Sequence, residues 1–247
     1  MRPLFYENVV PLSKERHKDW YLRPIESFEF TRNTNSLFIA ALEFNKVARE
    51  YPIVFGKNAD GKAFPVALLG MTPGQNLYLN ETGEWLAEYI PAYVRRYPFI
   101  VASDPQESGN RKLTVCIDEA FPGFNQSEEG NKLFQESGEE SAILVQAIEF
   151  LKEYNQHLEL TQAFCDKLNE LGLLEPMQAT VKLNSGDEQS MTGFMGINRE
   201  KLKKLRAKVL SELVKTDFLE LIYAHLASLS NIDMLVKRIP GNRGRNP

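Results

Sequence analysis

Three features of the sequence predict an α+β fold with a β-rich N-terminal half of antiparallel hairpins and a helical C-terminal half around a late β-hairpin. Apolar runs of strand length are separated by Gly- and Asp-containing turns up to Asp118. Helical apolar periodicity begins only near Ser141. An alternating stretch, Met177 to Leu183, has a plausible return at Ser190 to Ile197 and lies between helical segments.

In chain order, Glu29-Phe30 and Ser36 to Phe44 are too short for periodicity to separate strand from buried segment. Asn45 to Tyr51 reads as a short helical turn stopped by Pro52, since a residue before proline is pushed out of the α region. Ile53 to Phe55 and Phe64 to Leu69 read as strands, with Asp60-Gly61 as their hairpin turn. Gly70 to Gly74 is a break, Asn76 to Leu79 a short strand, and Glu81 to Gly83 another turn. A helix is expected over Ala87 to Tyr93, with Pro91 near its start or kinking it and Pro98 ending it. Phe99 to Ala102 and Leu113 to Asp118 read as antiparallel partners across a polar loop, Ser103 to Lys112. Phe121 to Gly130 reads as a loop.

Two helices then follow. One, Ser141 to Tyr154, has an apolar face of Ile143, Leu144, Ala147, Ile148 and Leu151. The other has Thr161 as N-cap and Gly172 as the residue past its C-terminus. Asn198 caps a long helix or helix pair, with Thr216-Asp217 as a break before Phe218 to Leu229. The expected organisation is one globular domain over 1–236 with a basic, flexible tail over 237–247.

The chain has 247 residues and a formal charge of −4, which gives no general reason to expect nucleic-acid binding. Cys116 and Cys165 are the only cysteines and form no C-x-x-C pair, which suggests a reducing compartment and no metal framework. No secretory leader follows Met1, and no apolar run approaches the roughly 20 residues of a membrane span. The expected location is therefore the cytoplasm. G-x-G-x-x-G, G-x-x-x-x-G-K-[ST] and G-x-S-x-G are all missing, so no cofactor is expected and no nucleophile is supported.

The best site candidate is Trp85 to Phe99, W-L-A-E-Y-I-P-A-Y-V-R-R-Y-P-F, with five aromatics, two prolines and an arginine pair in fifteen residues. Arginines beside rings stack on them or clamp an anion. Trp85, Tyr89, Tyr93, Arg95 and Arg96 are the candidate ligand-binding residues, with Glu43 in support. The competing reading has an arginine bridging a buried acid such as Asp118 or Glu119. Glu43, in A-L-E-F, is either paired with an arginine of the block, exposed, or a general base.

An enzyme is the alternative, using Glu43, Asp118 or His225 for acid/base chemistry on an acidic substrate. Asp118-Glu119 follows a strand, where capping and acid/base or metal roles compete. His225 reads as a packing histidine or an acid/base group, His17 as exposed, and both cysteines as core. No histidine spacing suits a metal. Glu128 to Glu159 holds eight glutamates against two lysines, and Arg199 to Lys208 six basic residues against one acid. The basic run is a solvated helix face or a dock for an acidic partner, a second copy of the chain included. A small anionic ligand or a protein is the expected partner, and a homodimer stays open.

Several segments resemble one family in order and over nearly the whole chain. They include F-Y-E-N-V-V-P-L-S-K-E-R-H (Phe5 to His17), A-L-E-F (Ala41 to Phe44), E-Y-P-I-V-F (Glu50 to Phe55), L-L-G (Leu68 to Gly70) and N-L-Y (Asn76 to Tyr78). The block itself follows, then C-I-D-E (Cys116 to Glu119), Leu133-Phe134, G-L-L (Gly172 to Leu174), G-F-M-G-I-N (Gly193 to Asn198) and Y-A-H-L-A-S-L (Tyr223 to Leu229). They resemble the SapC family, named from a surface-layer protein locus. The resemblance implies a link to envelope-protein handling or to oxidative modification, since relatives are often encoded near halogenase-like proteins, cupin-like oxygenases and TonB-dependent receptors. The permease label some members carry is excluded for this sequence, because nothing in it spans a bilayer. The resemblance transfers no catalytic residue.

Overall fold

The computed structural model describes residues 3–105, 111–182, 184, 186 and 188–242. The fold is α+β. Its first elements are β1 (Val9–Pro11), α1 (Lys14–His17), β2 (Tyr21–Leu22), β3 (Ser36–Phe38), α2 (Phe44–Val47), β4 (Ile53–Lys57) and β5 (Ala63–Leu68). There follow α3 (Ala92–Arg95), β6 (Phe99–Pro105), β7 (Arg111–Asp118), β8 (Phe124–Asn125), β9 (Asn131–Lys132) and α4 (Ala142–Glu170). The chain closes with β10 (Leu174–Lys182), β11 (Glu188–Ile197), α5 (Arg199–Lys203), α6 (Ala207–Lys215), α7 (Phe218–Ser228) and α8 (Asn231–Lys237).

The chain divides into two compact units, Met1–Phe30 with Val94–Gln156, and Thr31–Tyr93 with His157–Pro247. In the first unit β7 lies between β1 and β6, and β2 lies between β8 and β9. Its core gathers Tyr6, Tyr97, Phe99, Ile117, Phe121 and Leu144. The expected apolar face of the helix from Ser141 packs here, with Leu144 and Leu151 buried and Ile143, Ala147 and Ile148 half-buried against the core.

The second unit holds one antiparallel sheet in the order β10-β11-β4-β5-β3. β4 and β5 read as near-continuous apolar runs because both faces are covered. Their turn bonds Gly61 N–H to Asn58 O, and Gly61 takes the left-handed backbone (φ 77°) that glycine adopts without a Cβ clash. Phe55 lies 6.2 Å from Phe164 and 5.1 Å from His225, and Phe218 closes on Phe164 at 5.4 Å.

The structure corrects several expectations. The helix expected over Ala87 to Tyr93 is only α3, which starts after Pro91 because proline pushes the preceding residues out of helical dihedrals. Asn76 to Leu79 forms no strand, only a bridge from Leu79 to Trp85. Phe121 to Gly130 contains the short strand β8. The two expected central helices are one, α4, since no glycine or proline interrupts 142–170. Thr161 is therefore no cap; its hydroxyl donates to His157 O and accepts from Ala41 N–H. Gly172 does follow the helix with φ 61°.

Asn198 caps α5 by accepting from Glu200 and Lys201 N–H; the expected helix or helix pair is three helices, α5, α6 and α7, with the expected break before Phe218. The left-handed Asp217 breaks α6 from α7. His17 is buried, not exposed. Residues 106–110 of the expected Ser103 to Lys112 loop lie outside the described residues, as do 183, 185 and 187 of the late turn. Of the expected tail, Ile239 and Asn242 are buried, and 243–247 lie outside the described residues.

Candidate functional site

The block's first part, Trp85 to Tyr93, belongs to the second unit and has almost no regular structure of its own. Its backbone polar groups must therefore find partners elsewhere. Glu50 accepts from Glu88 N–H (3.0 Å) and Tyr89 N–H (2.9 Å) through its two oxygens. Glu43, fully buried, accepts from Ala92 N–H (2.6 Å), from the Tyr89 hydroxyl (2.9 Å) and from its own Ala40 N–H (3.1 Å). Tyr51 receives the Trp85 indole N–H at 2.7 Å and donates to Tyr89 O. Burial pushes the Tyr51 hydroxyl far above the ordinary tyrosine range, so it stays a proton donor. The Tyr78 ring lies tilted 4.4 Å from Tyr51 and stacked 6.4 Å from Trp85, and Lys46 lies 5.7 Å from the Tyr89 ring. Tyr93 is half-buried at the end of this part.

The block's second part, Val94 to Phe99, belongs to the first unit. Fully buried Asp118, at the end of β7, accepts from Glu7, Asn8 and Ala120 N–H (2.9, 2.7 and 3.2 Å) and from the Tyr97 hydroxyl (3.2 Å). Burial and the Asp118 charge both raise the Tyr97 hydroxyl well above its ordinary value. Arg96 lies over Tyr6 (5.7 Å) and Tyr154 (5.4 Å), and exposed Arg95 over Phe150 (5.0 Å).

Arg95 and Arg96 line a groove of about 300 Å³ in the first unit. Its walls are mainly apolar, with Phe99 and Phe150 among them, and its polar groups include Arg23 and Gln146. Arg23 pairs with Glu129 at 3.2 Å and donates to Pro122 O. Among the described residues the lining holds three arginines and no acid.

His225 is fully buried. Its Nδ1–H donates to Ile53 O (2.8 Å) and its Nε2 accepts from Ile197 N–H (3.0 Å), which makes it a neutral clamp between β4 and the end of β11. Burial pushes its pKa down to about 4, against a partial upward pull from the Ile53 carbonyl. In the first unit Glu119 accepts from His17 Nε2 (3.0 Å), Arg16 (2.5 Å) and Asn8 (3.2 Å). Both cysteines are buried, and burial pushes the Cys165 thiol up to about 12. No group of three or more His, Cys, Asp or Glu among the described residues suits a metal ion. No helix among them is long and apolar enough to cross a membrane.

A family model described as SapC matches residues 12–235 of the 247-residue chain. The chain belongs to the SapC family. No curated protein and no solved structure matches it. The SapC match takes in both parts of the block and the whole lining of the arginine groove.

Of the sequence-derived candidates in this SapC chain, the second unit joins Trp85, Tyr89 and Glu43 through Tyr51 and direct hydrogen bonds. The first unit places Arg95 and Arg96 in its groove. Gln146 and Phe150 were not singled out. Their only signal was their helical spacing to Ile143 and Ala147, which reads equally well as core. Arg23, in Y-L-R-P, carries no signal at all.

Proposed function

We propose that this SapC protein is a cytoplasmic binding or accessory protein that holds a small anionic ligand with an apolar body in the arginine groove of the first unit. The observation carrying this reading is the groove itself: three arginines and no acid on mainly apolar walls. Guanidinium groups match carboxylate and phosphate geometry, and apolar walls with few polar groups are the usual make-up of a small-molecule site. Two buried cysteines with no C-x-x-C pair suit a reducing compartment. An envelope-linked or oxidative-modification setting is carried by the family resemblance alone.

The acid/base alternative has less support. Glu43, Asp118 and His225 are all fully buried, and each is engaged by backbone hydrogen bonds that hold loops and strands in place. Groups placed in this way position structure rather than meet substrate.

Native mass spectrometry of untagged protein, purified gently from its own source, tests the proposal. The expected result is a small-mass adduct that is lost on denaturation and missing from Arg95→Ala. A stoichiometric protein partner in the same spectrum would identify the accessory role. A bare chain in every spectrum, or an adduct indifferent to Arg95→Ala, overturns the groove assignment.

A further inference from the structure

The second unit carries a larger groove, of about 970 Å³, between the stretch from Gly74 to Glu81 and the end of α8. Three cations line it, Arg32, Lys237 and Arg238, against one acid, Glu81. The arginines are positioned by structure already described. Arg238 lies 4.4 Å from the Tyr78 ring, and Arg32 donates to Asn80 O at 2.8 Å. Lys237 stands exposed at the C-terminus of α8.

The groove also exposes apolar side chains. Leu86 is 44 % and Met234 50 % exposed, and both line it. Its side-chain amides are already engaged. Gln75 accepts from Met71 N–H, Asn76 from Tyr78 N–H, and Asn80 from Thr82 and Glu84 N–H. Recognition is thus left mainly to spaced positive charge and to apolar surface. An occupant matching both carries acidic groups beside apolar ones.

We propose that this groove docks an acidic peptide segment that interleaves carboxylates with apolar side chains, the carboxylates facing Arg32, Lys237 and Arg238 and the apolar groups resting on Leu86 and Met234. The inference is independent of the ligand assigned to the first unit. Charge complementarity steers such a segment and sets its register, and burial of the apolar groups supplies the remaining affinity.

Fluorescence anisotropy with the full-length protein tests it, using dye-labelled peptides that alternate Glu with Leu, Glu with Ser, or Lys with Leu. The Glu–Leu peptide is expected to bind, and the other two are not. Lys237→Glu and Met234→Glu, both at exposed positions, are each expected to weaken binding about tenfold or more while leaving the melting curve in place. Arg95→Ala is expected to leave this affinity unchanged, so failure here is distinguishable from failure of the first groove. No binding of the Glu–Leu peptide overturns the proposal. So does equal binding of the Glu–Ser peptide, full competition by inorganic phosphate, or a loss in Arg95→Ala matching that in Lys237→Glu.

Discussion

The two parts of the aromatic block behave differently, although they are continuous in sequence. Trp85 to Tyr93 has almost no regular secondary structure, and acceptors from outside serve it: Glu43 and Glu50 take the Glu88, Tyr89 and Ala92 N–H groups, and Tyr51 takes the Trp85 indole. Val94 to Phe99 leaves α3 and enters β6 through local turns, Tyr97 N–H bonding Val94 O and Phe99 N–H bonding Arg96 O. Its arginines line a groove. One dense run of aromatic and charged residues thus braces an irregular loop in its first part and lines a groove in its second.

The sharpest way to break this contrast is to remove the buried carboxylates. Glu43→Gln and Asp118→Asn are each expected to lose about 3 kcal/mol of stability in chemical denaturation, because several buried N–H groups lose a charged acceptor. A Glu43→Gln protein as stable as the parent would remove the scaffold role assigned to Trp85 to Tyr93.

His225 comes next. Its folded pKa, about 4, lies below its ordinary 6.5, so the unfolded chain binds the proton more tightly. The stability carried by the neutral ring is complete above pH 6.5 and is lost as pH falls towards 4. From about pH 7 to about pH 5 the loss is expected to be about 2 kcal/mol. His225→Gln should start less stable and show a shallower loss over that range; an unchanged slope would remove His225 as its cause.

Smaller effects sharpen the comparison inside the block. Trp85→Phe removes the donor to Tyr51 and is expected to cost about 1 kcal/mol in denaturant melts. Arg95→Ala, at an exposed groove position, should change stability by less than about 0.5 kcal/mol while abolishing the native-state adduct. A large melting shift in Arg95→Ala would place that arginine in the scaffold and erase the difference between the two parts.

Much of the fold was legible because its signals are local. The Asp60-Gly61 turn between β4 and β5, the Asn198 cap, the Gly172 terminus and the β10–β11 pair each rest on a few neighbouring residues. The continuous α4 was misread at Thr161, whose hydroxyl suits a cap but here bonds the helix backbone and Ala41. His17 sits in a charged stretch and reads as exposed, yet its partner Glu119 lies 102 positions away.

The sequence by itself determined the α+β class, the main hairpins, a few helix ends and the family, because backbone propensity, turn chemistry and apolar periodicity act over a few residues. Tertiary structure alone decided what the charged and aromatic groups do. Whether Glu43 accepts from a loop, Asp118 anchors the start of the chain, His225 stays neutral or Arg95 meets a groove depends on residues dozens of positions away, and burial and hydrogen-bond partnership are set only when those residues converge.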